Sequence, residues 1–191
     1  MHNLANVDNL RCLNVRQPWA SLIVEGIKPI ENRLPGANKP YFSQRMNVGD
    51  NMKGEWVLIV SSTVKPTQTV LTEALHEMHH CYGREEGQRV FDRFMRRHAS
   101  CWLLGCVVGV VRFSLLVTPQ MREERPDVLE SFVLKWYRGH PYVGWYVMNA
   151  IVFNTPIPDI SGVRSIARIQ TKGTEIEGRI RNALRNMTIN S

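Results

Sequence analysis

The chain has 191 residues, 43% of them hydrophobic, and a formal net charge of +7. That length suits one domain with a sizeable core, and the composition is neither that of a disordered chain nor that of a repeat or low-complexity protein. The longest nearly apolar run, WLLGCVVGVV (102–111), is far short of the roughly 20 residues a membrane-spanning helix needs.

In chain order, RCLNVR (11–16) is the first of several strand candidates, a set rich in Val, Ile and aromatic residues and bounded by Gly, Pro and Asn. A short helix follows: Pro18 suits a first helical position, Trp19, Leu22 and Ile23 share a face, and Gly26 supplies the left-handed residue that ends it. Ile30–Arg33 predicts a short strand, and residues 34–54 are turn-forming throughout and read as a long surface loop. EWVLIVSS (55–62) is the next strand. Two helices come after it. Thr67–Tyr82 carries Val70, Leu71, Ala74, Leu75 and Met78 on one face. Glu85–His98 has Val90, Phe91 and Phe94 apolar and Arg89, Arg93, Arg96 and Arg97 on its remaining surface.

Three further strands are expected at 103–116, 142–153 and 164–170, with Trp145 and Tyr146 pointing to opposite sides. The C-terminal stretch reads as a helix opened by Thr174 and Glu177 at capping-box spacing. Its stripe of Ile176, Ile180, Leu184 and Met187 can dock on the domain and leave Arg179, Arg181 and Arg185 outside. Strands interleaved with helices in this order predict an α+β fold built on a small mixed β-barrel.

Arginine supplies 18 of the 24 basic residues. Its planar fork suits phosphate oxygens and stacks on bases, so the charge points to nucleic acid first and an acidic membrane surface second, beside the plain alternative of a solvated basic surface. Cys12, Cys81, Cys101 and Cys106 form no CxxC pair, and the opening residues MHNLANVDNLR lack a secretory signal. A reduced intracellular setting, cytoplasmic or nuclear, is expected.

His76-Glu77-Met78-His79-His80 fits the HExxH pattern of zinc peptidases, in which two histidines one helical turn apart face the metal. Gly83 continues the longer form of that pattern, and Glu86 stands where it has a third histidine; a carboxylate can ligate zinc. Against this, a catalytic zinc needs a third ligand fixed by surrounding structure, and both neighbouring stretches read as solvated helices. The favoured reading is a polar helix that carries three histidines, with no metal or cofactor; a zinc peptidase is the minor alternative.

Lys28, Glu31 and Arg33 follow the first helix closely. A nucleophilic lysine must be neutral near pH 7, which takes burial or a cationic neighbour. Glu31 favours the ammonium instead, and a charged Lys28 suits a phosphate better than it suits nucleophilic attack. Glu31 and Arg33 share a strand face; the carboxylate can accept from an exocyclic base amine, and the guanidinium can fork onto guanine or phosphate. A structural ion pair between them is the competing reading.

The stretch LNVRQPWASLIVEGIKPIENR (13–33) resembles the signature of the ASCH domain, the activating signal cointegrator homology domain: a hydrophobic strand, QPWA, a short helix, GIK and ExR. GEWVLIVSS (54–62), CWLLGCVVGVV (101–111), HPYVGWYVMNAIVF (140–153) and a closing strand near 164–170 follow in the family's order, and the LLGCV segment resembles its cointegrator branch. The resemblance implies a PUA-like barrel over residues 11–171, with inserts near 34–54, 63–99 and 118–141. An N-terminal extension (1–10) and a basic helix (172–191) would flank it. It also implies binding of RNA, or of single-stranded DNA, through a cleft. Gln17, Lys28, Glu31 and Arg33 would form that cleft, Ser61 and Ser62 would add hydroxyls at its wall, and Arg179, Arg181 and Arg185 would neutralise nucleic-acid backbone beside it.

One bacterial branch of the family hydrolyses the acetyl amide of N4-acetylcytidine with a Lys-x-x-Thr pair and a separate glutamate. Lys28 matches the lysine, Glu31 stands at the threonine position, and Glu123, Glu124 and Glu130 lie in a segment with no matching frame. An amidohydrolase using Lys28 and Glu31 is therefore the alternative to binding alone. A protein-interaction subunit of a larger RNA–protein assembly is a third.

Overall fold

In strand β3, Trp56–Ser61, consecutive residues point to opposite sides of a sheet, yet nearly all are apolar. Both sides of that strand are covered. Val57 and Ile59 join a large hydrophobic cluster on one face, and Leu58 and Val60 join a second cluster on the other. The computed structural model describes residues 9–34, 56–125, 127, 130–158, 166–170 and 173–188, with backbone only at 9–10, 166–170 and 183–188. Residues 35–54 of the expected loop and 1–8 of the N-terminal extension lie outside the described residues.

Among those residues, the other strands are β1 (Asn9–Val15), β2 (Ile30–Arg33), β4 (Val107–Val117), β5 (Val143–Ile157) and β6 (Ile166–Gln170), in the sheet order β2-β5-β4-β3-β1-β6. Only β1 and β3 pair in parallel; every other neighbouring pair is antiparallel. The sheet curls strongly. Although β5, β4 and β3 separate β2 from β1 in the sheet, the Arg33 guanidinium on β2 donates to the Asn14 carbonyl on β1 at 2.7 Å. The expected α+β, barrel-like architecture is the one observed.

Six helices complete the described chain: α1 (Trp19–Val24), α2 (Gln68–Tyr82), α3 (Arg84–His98), α4 (Pro119–Glu124), α5 (Ser131–Lys135) and α6 (Glu175–Thr188). Pro18 is the N-cap of α1 and not its first residue, and Gly26 adopts φ +72° just past its end. All of α1 is buried against the larger cluster, to which α2 adds Ala74, Met78 and Cys81, α3 Phe94 and α5 Val133. Helix α6 covers the other face, where Ile180 is fully buried among Cys12, Leu58 and Ile151. The Glu177 carboxylate accepts from the Gly173 N–H at 2.7 Å at its start.

The strand expected at 103–116 begins instead at Val107, because Gly105 turns the chain with φ +62°. Helices α4 and α5 were not anticipated. For α4 the signal was present: the Thr118 hydroxyl accepts from the Met121 N–H at 3.1 Å, and Pro119 stands at the first position. No helix among the described residues is long and apolar enough to cross a membrane.

Helices α2 and α3 cross closely at Gly87, where a Cβ would stand 2.6 Å from the Met78 carbonyl oxygen and 2.8 Å from the His79 nitrogen. Both are backbone atoms and cannot rotate away. Gly87→Ala is expected to destabilise the protein by about 1–3 kcal/mol, because overpacking of this kind outweighs the roughly 1 kcal/mol that alanine gains in helix propensity. Chemical denaturation checks this, and a stabilised variant would mean that the two helices can separate freely.

Candidate functional site

The chain leaving α1 turns back on itself: the Lys28 N–H donates to the Leu22 carbonyl at 3.0 Å, which sends the Lys28 side chain inward. Only 3% of Lys28 is exposed. Its ammonium donates to the Ile30 carbonyl, stands 3.8 Å from Glu31 Oε2, and lies 5.8 Å and 5.9 Å from the ring centres of Trp19 and Trp136. Glu31 is itself buried, and its Oε1 stands 2.8 Å from the Arg33 Nε as an ion pair, as two residues sharing a strand face allow.

Asn32 points the other way and fixes a distant segment. Its amide donates to the Trp136 carbonyl at 2.8 Å, and its oxygen accepts from the Arg138 N–H at 3.1 Å. That bond positions Arg138, whose Nε donates to Glu77 Oε1 at 2.8 Å while its guanidinium lies about 6 Å from the ring centres of Trp19 and Tyr142. The result is a cleft of about 270 Å³. Lys28 and Glu31 lie at its base, Trp19 and Tyr142 contribute rings, and Arg16, Arg33 and Arg138 supply three guanidinium groups.

Burial is the largest influence on Lys28 and holds its pKa below the ordinary lysine value; Glu31 and then Glu77 push upward, while Arg138 and Arg33 add to the downward pull. The sequence shows only the nearby carboxylate and arginine. The dominant effect comes from the packing.

The structure brings together three of the expected residues: Lys28, Glu31 and Arg33. Gln17 is buried elsewhere, donating to the Leu103 carbonyl at 2.9 Å and accepting from the Ser21 N–H at 3.3 Å, so it braces α1 and does not line the cleft. Ser61 is buried and bonds Cys106, its hydroxyl donating to the carbonyl at 3.2 Å and accepting from the N–H at 3.3 Å. Ser62 donates to the Val64 carbonyl at 3.4 Å, and neither serine lines the cleft.

Helix α6 lies on the opposite face of the sheet from the cluster that holds Trp19. There Arg179 donates to the Pro156 carbonyl at 3.2 Å and pairs with Glu175, and the Arg181 Nε stands 2.7 Å from Glu177 Oε1; the Arg185 side chain is outside the described residues. Glu123, Glu124 and Glu130 are exposed and outside the cleft.

The HEMHH stretch takes a different part from the one its pattern suggests. His76 and His80 are exposed, His79 Nε2 lies 3.3 Å from Gln88 Oε1, and Glu86 pairs with Arg89 at 2.7 Å. Among the described residues no three His, Cys, Asp or Glu side chains are grouped to hold a metal. Glu77 instead pairs with the cleft residue Arg138. Sequence reasoning missed Glu77, Trp136, Arg138 and Tyr142 as members of the site, since each reaches it through a contact distant in sequence.

No protein-family model matches this chain, and a search of curated proteins returns no match. Fold and cleft together define an α+β, barrel-like protein with a small polar cleft between its first helix and an edge strand, supplied with guanidinium groups and aromatic rings.

Proposed function

We propose that the protein is a PUA-like ASCH domain that binds RNA, or less readily single-stranded DNA, by holding one unpaired nucleotide in this cleft without catalysis. The observation that carries the reading is the buried Glu31 carboxylate, held by Arg33 and Lys28 at the base of a cleft lined by Trp19, Tyr142 and Arg138. A carboxylate so placed accepts from the exocyclic amine of cytosine or adenine. The rings offer apolar surface to the base, and guanidinium groups take phosphate oxygens. A cleft of about 270 Å³ falls at or below the ~300–1,000 Å³ usual for ligand pockets, which suits one nucleotide and not a duplex.

Glu31→Gln keeps the shape and replaces one acceptor oxygen by a donor. It should reduce the preference for oligocytidine over oligouridine by about 1–3 kcal/mol, or roughly five- to 150-fold. Arg33→Ala should weaken both. Fluorescence polarisation with the two oligomers measures this, and unchanged affinities in both variants with normal folding would sink the cleft assignment.

A second reading has one observation in its favour. Burial lowers the pKa of Lys28, which is the direction a neutral, nucleophilic or basic amine requires. On that reading Lys28 and Glu31 are acid–base groups of a small amidohydrolase acting on an acylated nucleoside. Incubation with N4-acetylcytidine separates the two: released cytidine that disappears in Lys28→Met supports catalysis, and intact substrate supports binding alone.

A further inference from the structure

Helix α3 buries Gly87 and Phe94, with Val90, Phe91 and Met95 packed toward the same cluster. Arg89, Arg93 and Arg96 are four and three residues apart on the side turned from that cluster and lie one above the next along the helix. Their surroundings differ. Arg89 pairs with Glu86, and the neighbouring Arg97 pairs with Glu25. Arg93 and Arg96 are exposed and have no hydrogen-bond or ion-pair partner among the described residues.

Like charges at these spacings oppose one another; within α3 Glu86 offsets Arg89 and Asp92 lies four residues before Arg96, so Arg93 is the cation of this row with no carboxylate three or four residues away. Interaction with the helix dipole explains basic residues in the last turn, where Arg96, Arg97 and His98 lie. It does not reach Arg93, because the effect falls off within that turn.

The position of α3 is also informative. It packs on the same sheet face as Trp19, and its end is tied to α1 by Arg97 and His98 on Glu25. The six residues of α1, about 9 Å long, separate that tie from Trp19 at the cleft. The C-terminal helix is the reverse case: it lies on the other face, and its Arg179 and Arg181 are engaged with Glu175 and Glu177.

We propose that Arg93 and Arg96 form a backbone-contacting surface for the single-stranded RNA whose nucleotide occupies the cleft, so that α3, and not α6, carries the electrostatic part of binding. This rests on the RNA-binding reading of the cleft. The arginines neutralise phosphates without reading bases, and the cleft supplies the preference.

The test is a salt titration of short oligocytidine affinity for the full chain, Arg93→Ala/Arg96→Ala and Glu31→Gln. Each phosphate contact on a single strand contributes about −0.7 to the slope of log K against log salt. The double variant should therefore show a slope smaller in magnitude by about 1.4, so the unaltered protein loses roughly sevenfold more affinity than the variant over a fourfold rise in salt. Its cytidine preference should be unchanged and its unfolding midpoint no lower, since repulsion within α3 is relieved. Parallel salt slopes, with Glu31→Gln still altering the preference, would overturn the α3 surface and leave the cleft reading intact. A reduced slope with Glu31→Gln indistinguishable from the unaltered protein would support the α3 surface and remove the cleft. Capture of the chain by vesicles of anionic lipid, with no RNA binding at any salt, would overturn both.

Discussion

Glu31→Leu should cost about 3–5 kcal/mol of folding stability, whereas Lys28→Met should cost little or stabilise the protein. The asymmetry comes from who is left without a partner. Glu31 serves Lys28 at 3.8 Å and Arg33 at 2.8 Å, so its removal takes the nearest carboxylate from an ammonium that is only 3% exposed. Removal of Lys28 leaves Glu31 its closer partner, Arg33, and replaces a buried charge with a side chain suited to the surrounding Trp19 and Trp136 rings. Chemical denaturation of both variants measures the difference. Equal losses would mean that Lys28 is held by something other than its carboxylate neighbours.

The pH dependence follows with a definite sign. Burial holds the folded-state pKa of Lys28 below the ordinary 10.5. Between that lowered value and 10.5 the unfolded chain binds the extra proton, so this residue makes stability rise with pH through the window and contributes no slope below it. Lys28→Met should abolish that rise. A variant that gains stability while losing oligocytidine binding would show that the buried lysine is kept for the site and not for the fold.

Trp136→Ala should destabilise by about 3–5 kcal/mol, the range for removal of a fully buried large aromatic side chain. Trp136 is 2% exposed; its ring packs edge-on to Tyr82 with centres 6.2 Å apart, and its main-chain carbonyl accepts from Asn32. The cavity left behind would adjoin Lys28 and loosen the segment that presents Arg138. Trp136→Phe should cost much less, because the buried indole Nε1 has no hydrogen-bond partner among the described residues and its loss forfeits no bond to them. Thermal and chemical unfolding of the two variants check this order. If phenylalanine proved as damaging as alanine, the indole would be bonding a water or ligand that the ring alone cannot replace.

Local chemistry determined much of this protein directly from its residues. Runs rich in Val, Ile and aromatic residues between turn formers located five strands, the short segment after the first helix gave the sixth, and 3.6-residue periodicity located α2, α3 and α6 to within a residue or two at their ends. Lys28, Glu31 and Arg33 were legible as one cluster because a helix end and a short strand place them together. Where the site depends on contacts far apart in sequence, the same reasoning had no access. The Glu77–Arg138 pair joins residues 61 positions apart, and the Asn32–Arg138 bond joins residues 106 apart. Gln17, Ser61 and Ser62 have the polarity of cleft residues, but their partners are Leu103, Cys106 and Val64. The arginines of α3 and α6 also look alike as sequence. Packing put α3 on the face of the sheet that holds the first helix, with Arg97 on Glu25, and α6 on the opposite face, with Arg179 and Arg181 on carboxylates of their own helix. Burial, the largest influence holding the Lys28 pKa below its ordinary value, is likewise a property of the packed chain: a lysine between Ile27 and Pro29 acquires it only when α1, β2 and the Trp136 segment close around it.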